Sequence, residues 1–481
     1  MAIGLALRLP GLESKPIWYD EAFSILLASR PLPQILSGTA ADTMPPLYYF
    51  LLNAWQHLGS AIWQQRLLNV VLGVALIGVV YLLAFELYGR TVAAWSALLA
   101  AASPLLVYHA QELRMYALLA LSLTSYCYFY LLARRAVDRR RSRLAWAGTI
   151  LAGSCALYTH NLAFFSLVAL DVFLILRREW RDLGRLILAQ GVMFLLFVPW
   201  LGHVPGQIQK IQDAFWTPSP GVLEIVQGIV AFHAFLPLQS WLLIVGLAAS
   251  LTALGLTIYL HLRRLPSRWM EGLLACLALV PPVLLFAASY VMRPVFVPRA
   301  ALLSLVAYLV LAGRAIAEVR PRAMGWTLAG AFGVAALIGV TAQSAHRSFP
   351  RSPFREAAAF LEATAEEGDL VLHSNKLTYF PMSIYAAGLP QAFLADEPGS
   401  HNDTLAPATQ RALMVFPIED DQAAIQDASR VRFVVFQREL DEYALTADGA
   451  PRVLLDLAAI GAQPARTAFN DLWVFDFDLT P

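Results

Sequence analysis

Long apolar runs recur along the first two thirds of the chain, and short polar segments separate them. A membrane helix needs about 20 mostly apolar residues to cross about 30 Å of hydrocarbon. Ten runs of about this length predict ten spans, at residues 64–87, 91–108, 115–133, 144–160, 162–176, 185–202, 240–261, 269–290, 300–318 and 323–342. The pattern therefore predicts an α-helical polytopic membrane protein.

Arginine residues cluster in every second loop between these runs. They are Arg134, Arg135, Arg139, Arg140, Arg141, Arg143, Arg177, Arg178, Arg181, Arg185, Arg263, Arg264, Arg268, Arg314, Arg320 and Arg322. Cytoplasmic loops carry an excess of Lys and Arg, so we expect these loops to be cytoplasmic. We expect the membrane itself to be the plasma (inner) membrane. The extracytoplasmic segments are then 8–62, 109–114, 160, 203–239, 291–299 and the residues after about 343.

This alternation requires one membrane crossing before Asp20, although only Met1 to Pro10 are available for it. We expect either a first helix that is a stub or a start that is truncated. The chain as given would then have ten full spans plus a stub, and eleven spans if the start is extended. The alternative is an N-terminal segment that lies in the membrane interface.

Composition agrees with a membrane protein and excludes a nucleic-acid-binding one. The chain is 58% hydrophobic and 14% charged, whereas soluble domains carry about 25% charged residues. The net charge of +1 provides no basic field for nucleic acid. The three cysteines lie in apolar runs without metal-ligand spacing, so we interpret them as core residues.

The composition changes near residue 345, which predicts two domains, a membrane domain at 1–345 and an extracytoplasmic domain at 346–481. In the second domain, residues 354–366 form an amphipathic helical pattern. Short apolar runs predict strands at 369–373, 412–416, 432–436 and 472–477. We expect a small α/β domain that acts as a lid or acceptor-binding module, or alternatively as an inert cap.

The external segment 8–62 contains three acidic residues that could carry chemistry. Asp20 and Glu21 are adjacent, and such carboxylates beside an apolar face should have coupled, displaced pKa values, which suits a general base. The alternative is that Asp20 caps a helix at 21–29. Asp42 precedes Pro45-Pro46, which either fix Asp42 rigidly or start a helix at 47–57 that contains Tyr48.

Two further external segments contain basic residues that could bind phosphate. Glu112, Arg114 and Tyr116 lie between two spans, where Glu112 either pairs with Arg114 or leaves Arg114 to bind phosphate. Arg293 and Arg299 precede a late span. Arginine binds phosphate through two parallel hydrogen bonds, but both could instead reach anionic lipid.

The sequence does not predict a defined metal site. His160, His203 and His233 are external but scattered, and no HExxH spacing is present. The sequence therefore does not specify a cofactor. A divalent metal held by carboxylates and distant histidines stays open as an alternative.

These segments together resemble the polytopic GT-C glycosyltransferases. The matching features are the Asp20-Glu21 pair, the Pro-Pro-Leu-Tyr-Tyr segment at 45–49, the Gln-Glu-x-Arg-x-Tyr turn at 111–116 and the late external Arg299. The chain looks most like family 39 and its relatives, which include protein O-mannosyltransferases and lipid A aminoarabinose transferases. The resemblance covers roughly residues 1–345.

The resemblance implies an enzyme that transfers a sugar from a polyprenyl-phosphate-linked donor, with inversion, on the extracytoplasmic side. The acceptor would be a glycan, a lipid or a protein, and membrane lipids would surround the enzyme. Asp20 matches the family's general base, Glu21 its neighbour, and Asp42 the acidic residue before Pro-Pro. Glu112, Arg114 and Tyr116 match the turn, and Arg299 matches the arginine near the lipid phosphate.

The chain departs from the family pattern at two positions. Met44 stands where many relatives have His or Lys before Pro-Pro, so that contact is either missing or supplied from elsewhere, such as by Lys15 or Arg299. Ala300 stands where many relatives have an aromatic residue. The alternative function is a transporter or flippase of lipid-linked sugars. It would favour inverted repeats and broken helices at mid-membrane, and no convincing repeat is present.

Overall fold

The chain divides into two compact units, one of Met1–Leu12 and Thr39–Ala345 and the other of Glu13–Gly38 and His346–Pro481. We call them the membrane unit and the sheet unit. The computed structural model describes the chain apart from residues 215–218, 267–268, 292–293, 396–404, 420–424, 426–427, 446–448, 461–463 and 480–481.

Helices occupy all ten apolar runs of the membrane unit. Their bounds are α5 Ile62–Tyr88, α6 Arg90–Ala102, α7 Pro104–Ala110, α8 Tyr116–Arg135, α9 Arg139–Thr159, α10 Ala163–Arg177, α11 Trp180–Leu201, α14 Ser240–Arg263, α15 Trp269–Val291, α16 Leu302–Glu318 and α17 Arg322–Ala345. Shorter helices are α1 Ala2–Arg8, α3 Leu32–Ala41 (which spans the boundary between the units), α4 Leu47–Gln56, α12 Val204–Ala214 and α13 Val222–His233.

Seven of the described helices are long and apolar enough to cross a membrane, or eight if the bent pair α6–α7 forms one span. This count is smaller than the ten predicted spans because α9 begins with a run of arginines and α10 has only 15 residues. Lipid-facing positions are visible on α11, where Leu188 is 74% and Leu195 69% exposed. The chain is a multi-pass membrane protein.

A buried arginine holds the N-terminal helix against the bend between α6 and α7. The two helices meet at 61°, because Ser103 is extended and Pro104 cannot donate a backbone hydrogen bond. The carbonyls of Ala100 and Ala101 accept hydrogen bonds from Arg8, at 3.2 and 2.8 Å. A fully buried side chain of α1 thus satisfies acceptors that the bend leaves without helical partners.

The sheet unit is built on a five-stranded mixed sheet in the order β2-β1-β3-β5-β4. The first three neighbours are parallel, and β5 is antiparallel to both β3 and β4. The strands are β1 Asp369–His373, β2 Gln391–Phe393, β3 Arg430–Phe436, β4 Ala465–Phe469 and β5 Leu472–Asp478. The helices are α2 Tyr19–Ala28, α18 Phe354–Ala363, α19 Lys376–Tyr385, α20 Pro407–Leu413, α21 Gln437–Tyr443 and α22 Arg452–Ile460.

Both faces of the sheet are covered, as the continuous apolar character of β3 indicates. Helix α18 packs through Phe354 and Leu361 on the face that carries Val434, and Leu457 of α22 packs on the opposite face against Phe433. The predicted small α/β domain is therefore present. Three of the four predicted strands correspond to β1, β3 and β5.

The predicted strand at 412–416 is wrong. Pro407 occupies the first turn of α20, where a proline costs no hydrogen bond. The helix continues to Leu413 and ends at Met414, which has a left-handed backbone with φ 52°. Ala412 and Leu413 therefore belong to a helix instead of joining the ladder of the sheet.

Segment 13–38 belongs to the sheet unit, although the sequence suggested that it formed one external loop with residues 39–62. Aromatic side chains of α2 pack on α19, with Tyr19 and Phe23 at 5.2 and 6.3 Å from the ring of Phe380. The backbone amide of Ile17 donates a hydrogen bond to the hydroxyl of Tyr385 at 2.8 Å. The helix that carries the Asp20-Glu21 pair is thus built into the sheet unit.

Candidate active site

In the membrane unit, Glu112 and Arg114 lie in a buried turn between α7 and α8. Asn69, a polar residue within the apolar helix α5, donates hydrogen bonds to the backbone carbonyls of both residues. The Glu112 carboxylate lies 2.9 Å from Nδ1 of His109. The Asn69 amide thus helps to hold the turn that carries Arg114, together with the hydrogen bond that the Arg114 backbone amide donates to the Glu112 carbonyl at 2.8 Å.

Aromatic side chains surround the two guanidinium groups that the sequence singled out. Nη1 of Arg114 lies 3.4 Å from the hydroxyl of Tyr49. The guanidinium of Arg299, on a short 3₁₀ turn at Pro298–Ala301, lies 5.6 Å from the ring centroid of Tyr116. Arg299 is thereby brought to an aromatic side chain that lies nearly 200 positions earlier in the chain. Arg293 lies outside the described residues.

His160, in the turn between α9 and α10, interacts electrostatically with both arginines. The ring is 4% exposed, and its centroid lies 6.0 Å from that of Tyr116. Burial, followed by the positive charges of Arg299 and Arg114, lowers the pKa of His160 to about 3. The electrostatic coupling indicates that Arg114, Arg299 and His160 form one cluster with Tyr116, which we call the arginine cluster.

Asp42 follows α3 and forms an ion pair that the sequence analysis did not predict. Nζ of Lys210, on α12, lies 3.2 Å from its carboxylate. The neighbouring backbone is held by Asn161, whose amide donates to the carbonyl of Thr43 at 2.9 Å. Gln207 of α12 donates to the carbonyl of Thr39, also at 2.9 Å. The acidic segment is therefore held by α12 and by the same turn that carries His160.

The Pro45-Pro46 pair starts a helix, as one of the two sequence interpretations proposed. Helix α4 begins at Leu47, and Pro46 is its N-cap. Tyr48, in the first turn, is fully buried, and its ring centroid lies 5.9 Å from that of Tyr49. Tyr48 therefore packs beside the residue that contacts Arg114.

In the sheet unit, Asp20 and Glu21 lie in the first turn of α2 and differ in burial. The N-cap position is occupied by Trp18, without a side-chain capping bond, so the interpretation of Asp20 as an N-cap is wrong. Asp20 is partly exposed. Glu21 is completely buried and forms an ion pair with Arg351, which is 5% exposed. Both carboxylates lie where a helix N-terminus favours negative charge.

Arg351 connects the acidic helix to the segment that precedes α18. Besides Glu21, its guanidinium donates to the carbonyl of Pro16 at 2.8 Å and lies 6.0 Å from the ring of Trp18. One side chain thus contacts the residues that precede α2 and one of the two acidic residues within it. This geometry makes Arg351 a structural support of the Asp20-Glu21 turn.

The sequence interpretation missed Asn69, Lys210 and Arg351. Asn69 had a detectable signal, because a lone amide inside a long apolar span needs a hydrogen-bond partner. No comparable signal marked Arg351, which is one of several arginines just after the last span. Among the described residues, no group of three or more His, Cys, Asp or Glu side chains could hold a metal ion.

Replacing Asn69 should displace the turn that carries Arg114. We expect Asn69→Leu to lower stability by about 1–3 kcal/mol, since two buried carbonyls lose the hydrogen bonds from Asn69, and to reduce the activity of the protein. Asn69→Asp should be no better, because a carboxylate cannot donate to carbonyls. The matched control is Asn53→Leu, on the amphipathic helix α4. Thermal unfolding and activity measured together check this prediction, and unchanged activity in Asn69→Leu would contradict it.

Comparison of sequences finds one family model that matches part of the chain. Residues 43–203 match the family model of dolichyl-phosphate-mannose-protein mannosyltransferase. This segment begins directly after Asp42 and contains the Pro-Pro-Leu-Tyr-Tyr motif, the 111–114 turn and His160. No curated protein matches the sequence of the chain.

Comparison of structures extends the similarity to the whole chain. ArnT from Cupriavidus metallidurans in the apo state is 16% identical, with a TM-score of 0.67 over 99% of this chain and 96% of that one. The same protein bound to undecaprenyl phosphate matches with a TM-score of 0.65, at 16% identity and the same coverage of both chains. The Archaeoglobus fulgidus oligosaccharyltransferase tethered to an acceptor peptide matches with a TM-score of 0.54 at 14% identity, over 100% and 73% of the two chains. The predicted resemblance to the GT-C fold is confirmed.

Proposed function

We propose that this chain, a multi-pass membrane protein with the GT-C glycosyltransferase fold, transfers a sugar from a polyprenyl-phosphate-linked donor to an acceptor. The observation that carries the proposal is the arginine cluster in the membrane unit, where Arg299 lies beside Tyr116 and the charges of Arg114 and Arg299 both act on His160. Two guanidinium groups beside aromatic rings match the charge and the hydrogen-bonding pattern of a phosphate group. The undecaprenyl phosphate bound by the similar ArnT structure supports this choice of ligand.

The proposed reaction is a single displacement with inversion. The acceptor hydroxyl attacks the anomeric carbon, the bond from that carbon to the phosphate oxygen breaks, and polyprenyl phosphate leaves with the electron pair. Phosphate is already a good leaving group, so the enzyme chiefly needs a base for the acceptor proton and cations for the growing negative charge. We assign the charge stabilisation to Arg299 and Arg114.

We propose Asp20 as the general base that takes the acceptor proton. It is partly exposed in the first turn of α2, whereas its neighbour Glu21 is buried and paired with Arg351. Burial and pairing suit Glu21 to positioning the turn, and exposure suits Asp20 to proton transfer. Asp42, held by Lys210, is proposed to orient the substrate. We propose that the reaction takes place on the extracytoplasmic side.

The direct test is a transfer assay with purified protein. Polyprenyl phosphates that carry different radiolabelled sugars would be offered with glycan, lipid and protein acceptors. We expect one donor to yield free polyprenyl phosphate together with a labelled acceptor. Movement of the labelled lipid across a liposome membrane, without cleavage of the sugar-phosphate bond, would instead support the transporter alternative.

Conservative changes of the two arginines should weaken donor binding without unfolding the protein. Lysine keeps the charge but loses the planar pair of donors. We therefore expect Arg299→Lys and Arg114→Lys each to raise the KM for the donor by roughly tenfold, the equivalent of about 1.4 kcal/mol. Arg139→Lys, at an exposed position in a basic loop, is the matched control. A donor KM that is the same in all three variants would contradict the assigned role.

A further inference from the structure

His160 is the residue of the arginine cluster that the proposed reaction does not yet use. It ends α9 with an extended backbone, and α10 begins three residues later at Ala163. The next residue, Asn161, is hydrogen-bonded to the Thr43 carbonyl and to Gln207 of α12, both at 2.9 Å. The position of the imidazole is therefore held by contacts on both sides of the turn.

The hydrogen bonds of His160 determine which ring nitrogen carries the proton. Nδ1 lies 3.1 Å from the backbone amide of Leu162, which donates to it. An Nδ1 that accepts must be unprotonated, so the neutral ring carries its proton on Nε2. The depressed pKa, about 3, keeps the ring neutral at physiological pH. His160 therefore presents an Nε2–H donor. Within the described part of the chain, this atom has no hydrogen-bond partner.

The groups around the ring favour a negatively charged ligand for this donor. The titratable and charged groups that face His160 are Arg114, Arg299 and Tyr116. A third cation here would be repelled by the two guanidiniums, whereas a neutral N–H adds a hydrogen bond without adding charge. The cluster thus offers two cationic donors and one neutral donor to a single anion.

We propose that Nε2–H of His160 donates a hydrogen bond to the phosphate of the polyprenyl-linked donor, as a third ligand beside Arg114 and Arg299. This inference rests on the proposed function and identifies a further binding residue of the same site. The phosphate changes from a singly charged diester in the donor to a more highly charged monoester in the product. A hydrogen bond to it therefore strengthens as the sugar leaves, so His160 should lower the barrier as well as bind the donor.

The test compares the binding of undecaprenyl phosphate and of undecaprenol, the same lipid without phosphate, to the full-length protein. We expect His160→Phe, which keeps an aromatic ring but removes the donor, to weaken undecaprenyl phosphate binding by about tenfold or more. Undecaprenol binding should not change. His160→Gln, which can still donate, should retain part of the affinity. His203→Phe, at an exposed histidine of the same unit, is the matched control.

A pH series adds a measurement that a purely structural role would not affect. A bound anion raises the pKa of His160, so the phosphate binds the protonated form more tightly, and binding becomes coupled to proton uptake. The ratio of wild-type to His160→Phe affinity should therefore grow as the pH falls from 7 to 5. This series uses the methyl diester of undecaprenyl phosphate, which stays singly charged in this range, because titration of the monoester would itself change the hydrogen bond from His160.

The outcomes separate the inference from the proposed function. If the wild type does not prefer undecaprenyl phosphate to undecaprenol, the proposed function fails. If the wild type shows the preference and His160→Phe retains it in full, only the role of His160 fails. Equal weakening of both lipids would assign His160 a packing role and overturn the inference. If His160→Phe does not fold, His160→Gln takes its place in the comparison. The preference of this variant for undecaprenyl phosphate over undecaprenol should be smaller than that of the wild type and should depend less on pH.

Discussion

Replacing Asp20 with Asn should reduce sugar transfer by about 10²–10⁴-fold, the usual contribution of a general base. The amide has nearly the same shape as the carboxylate but cannot accept the acceptor's proton. Asp20 is only partly buried and lies in the first turn of α2, so the helix should remain folded. Turnover would be measured with purified protein and a lipid-linked sugar, after confirming an unchanged thermal unfolding midpoint.

Two further variants make this result specific. Glu13→Gln removes an exposed carboxylate of the same segment, which pairs with the exposed Arg355, and should leave turnover unchanged. Asp20→Glu keeps a base but shifts it by one methylene, so it should retain more activity than Asp20→Asn. Near-normal turnover of Asp20→Asn would remove Asp20 from the catalytic role.

The largest effect on stability is expected from Arg351→Leu. Arg351 and Glu21 are both buried, and removing one partner of a buried ion pair leaves an uncompensated charge. The expected loss is about 3–5 kcal/mol. We also expect activity to fall, because Arg351 supports the turn that carries Asp20. The measurements are the unfolding midpoint of the full-length protein and the rate of transfer.

A second arginine nearby provides a matched control for Arg351→Leu. Arg355 pairs with Glu13 at 3.1 Å, but both side chains are substantially exposed, at 42% and 52%. Such surface pairs contribute about 0–1 kcal/mol, so Arg355→Leu should have little effect. If the two arginine variants are equally stable, burial does not distinguish the pairs and the assigned role of Arg351 is wrong.

A double replacement separates the role of charge from that of packing. Glu21→Gln combined with Arg351→Leu removes the buried charge together with its partner. The double variant should then be more stable than Arg351→Leu alone. A double-mutant cycle measures the coupling energy between the two residues. Activity need not return with stability, because the double variant still lacks the contacts of Arg351 with Pro16 and Trp18.

The positions of the helices in the membrane unit were predictable from the sequence. Crossing hydrocarbon requires long apolar segments whose backbone hydrogen bonds are internal, so each apolar run marks a helix by itself. The strands β1, β3 and β5 were predictable for a related reason, since short apolar runs between polar segments are typical of buried strands. The bend at Ser103-Pro104 was overlooked within a run that the pattern treated as one span.

The sequence also identified most residues of the candidate site, because acidic and basic side chains beside apolar spans are costly and therefore conspicuous. Asp20, Glu112, Arg114 and Arg299 were all singled out in this way. Their catalytic roles stay predictions. What the residues alone could not determine was the partner of each. The carboxylate of Glu112, for example, lies beside His109, a partner that the sequence did not assign to it.

Only the tertiary structure assigned α2 to the sheet unit and paired Glu21 with an arginine 330 positions later in the chain. It also brought Arg299 and His160 to Tyr116. The physical reason is the same in both cases. Helices and strands follow from local periodicity, which the sequence displays directly, whereas an ion pair or a ligand cluster depends on which distant segments pack together. The sequence alone thus determined the helices, most strands and the chemical character of the site, and tertiary packing decided which of its side chains meet.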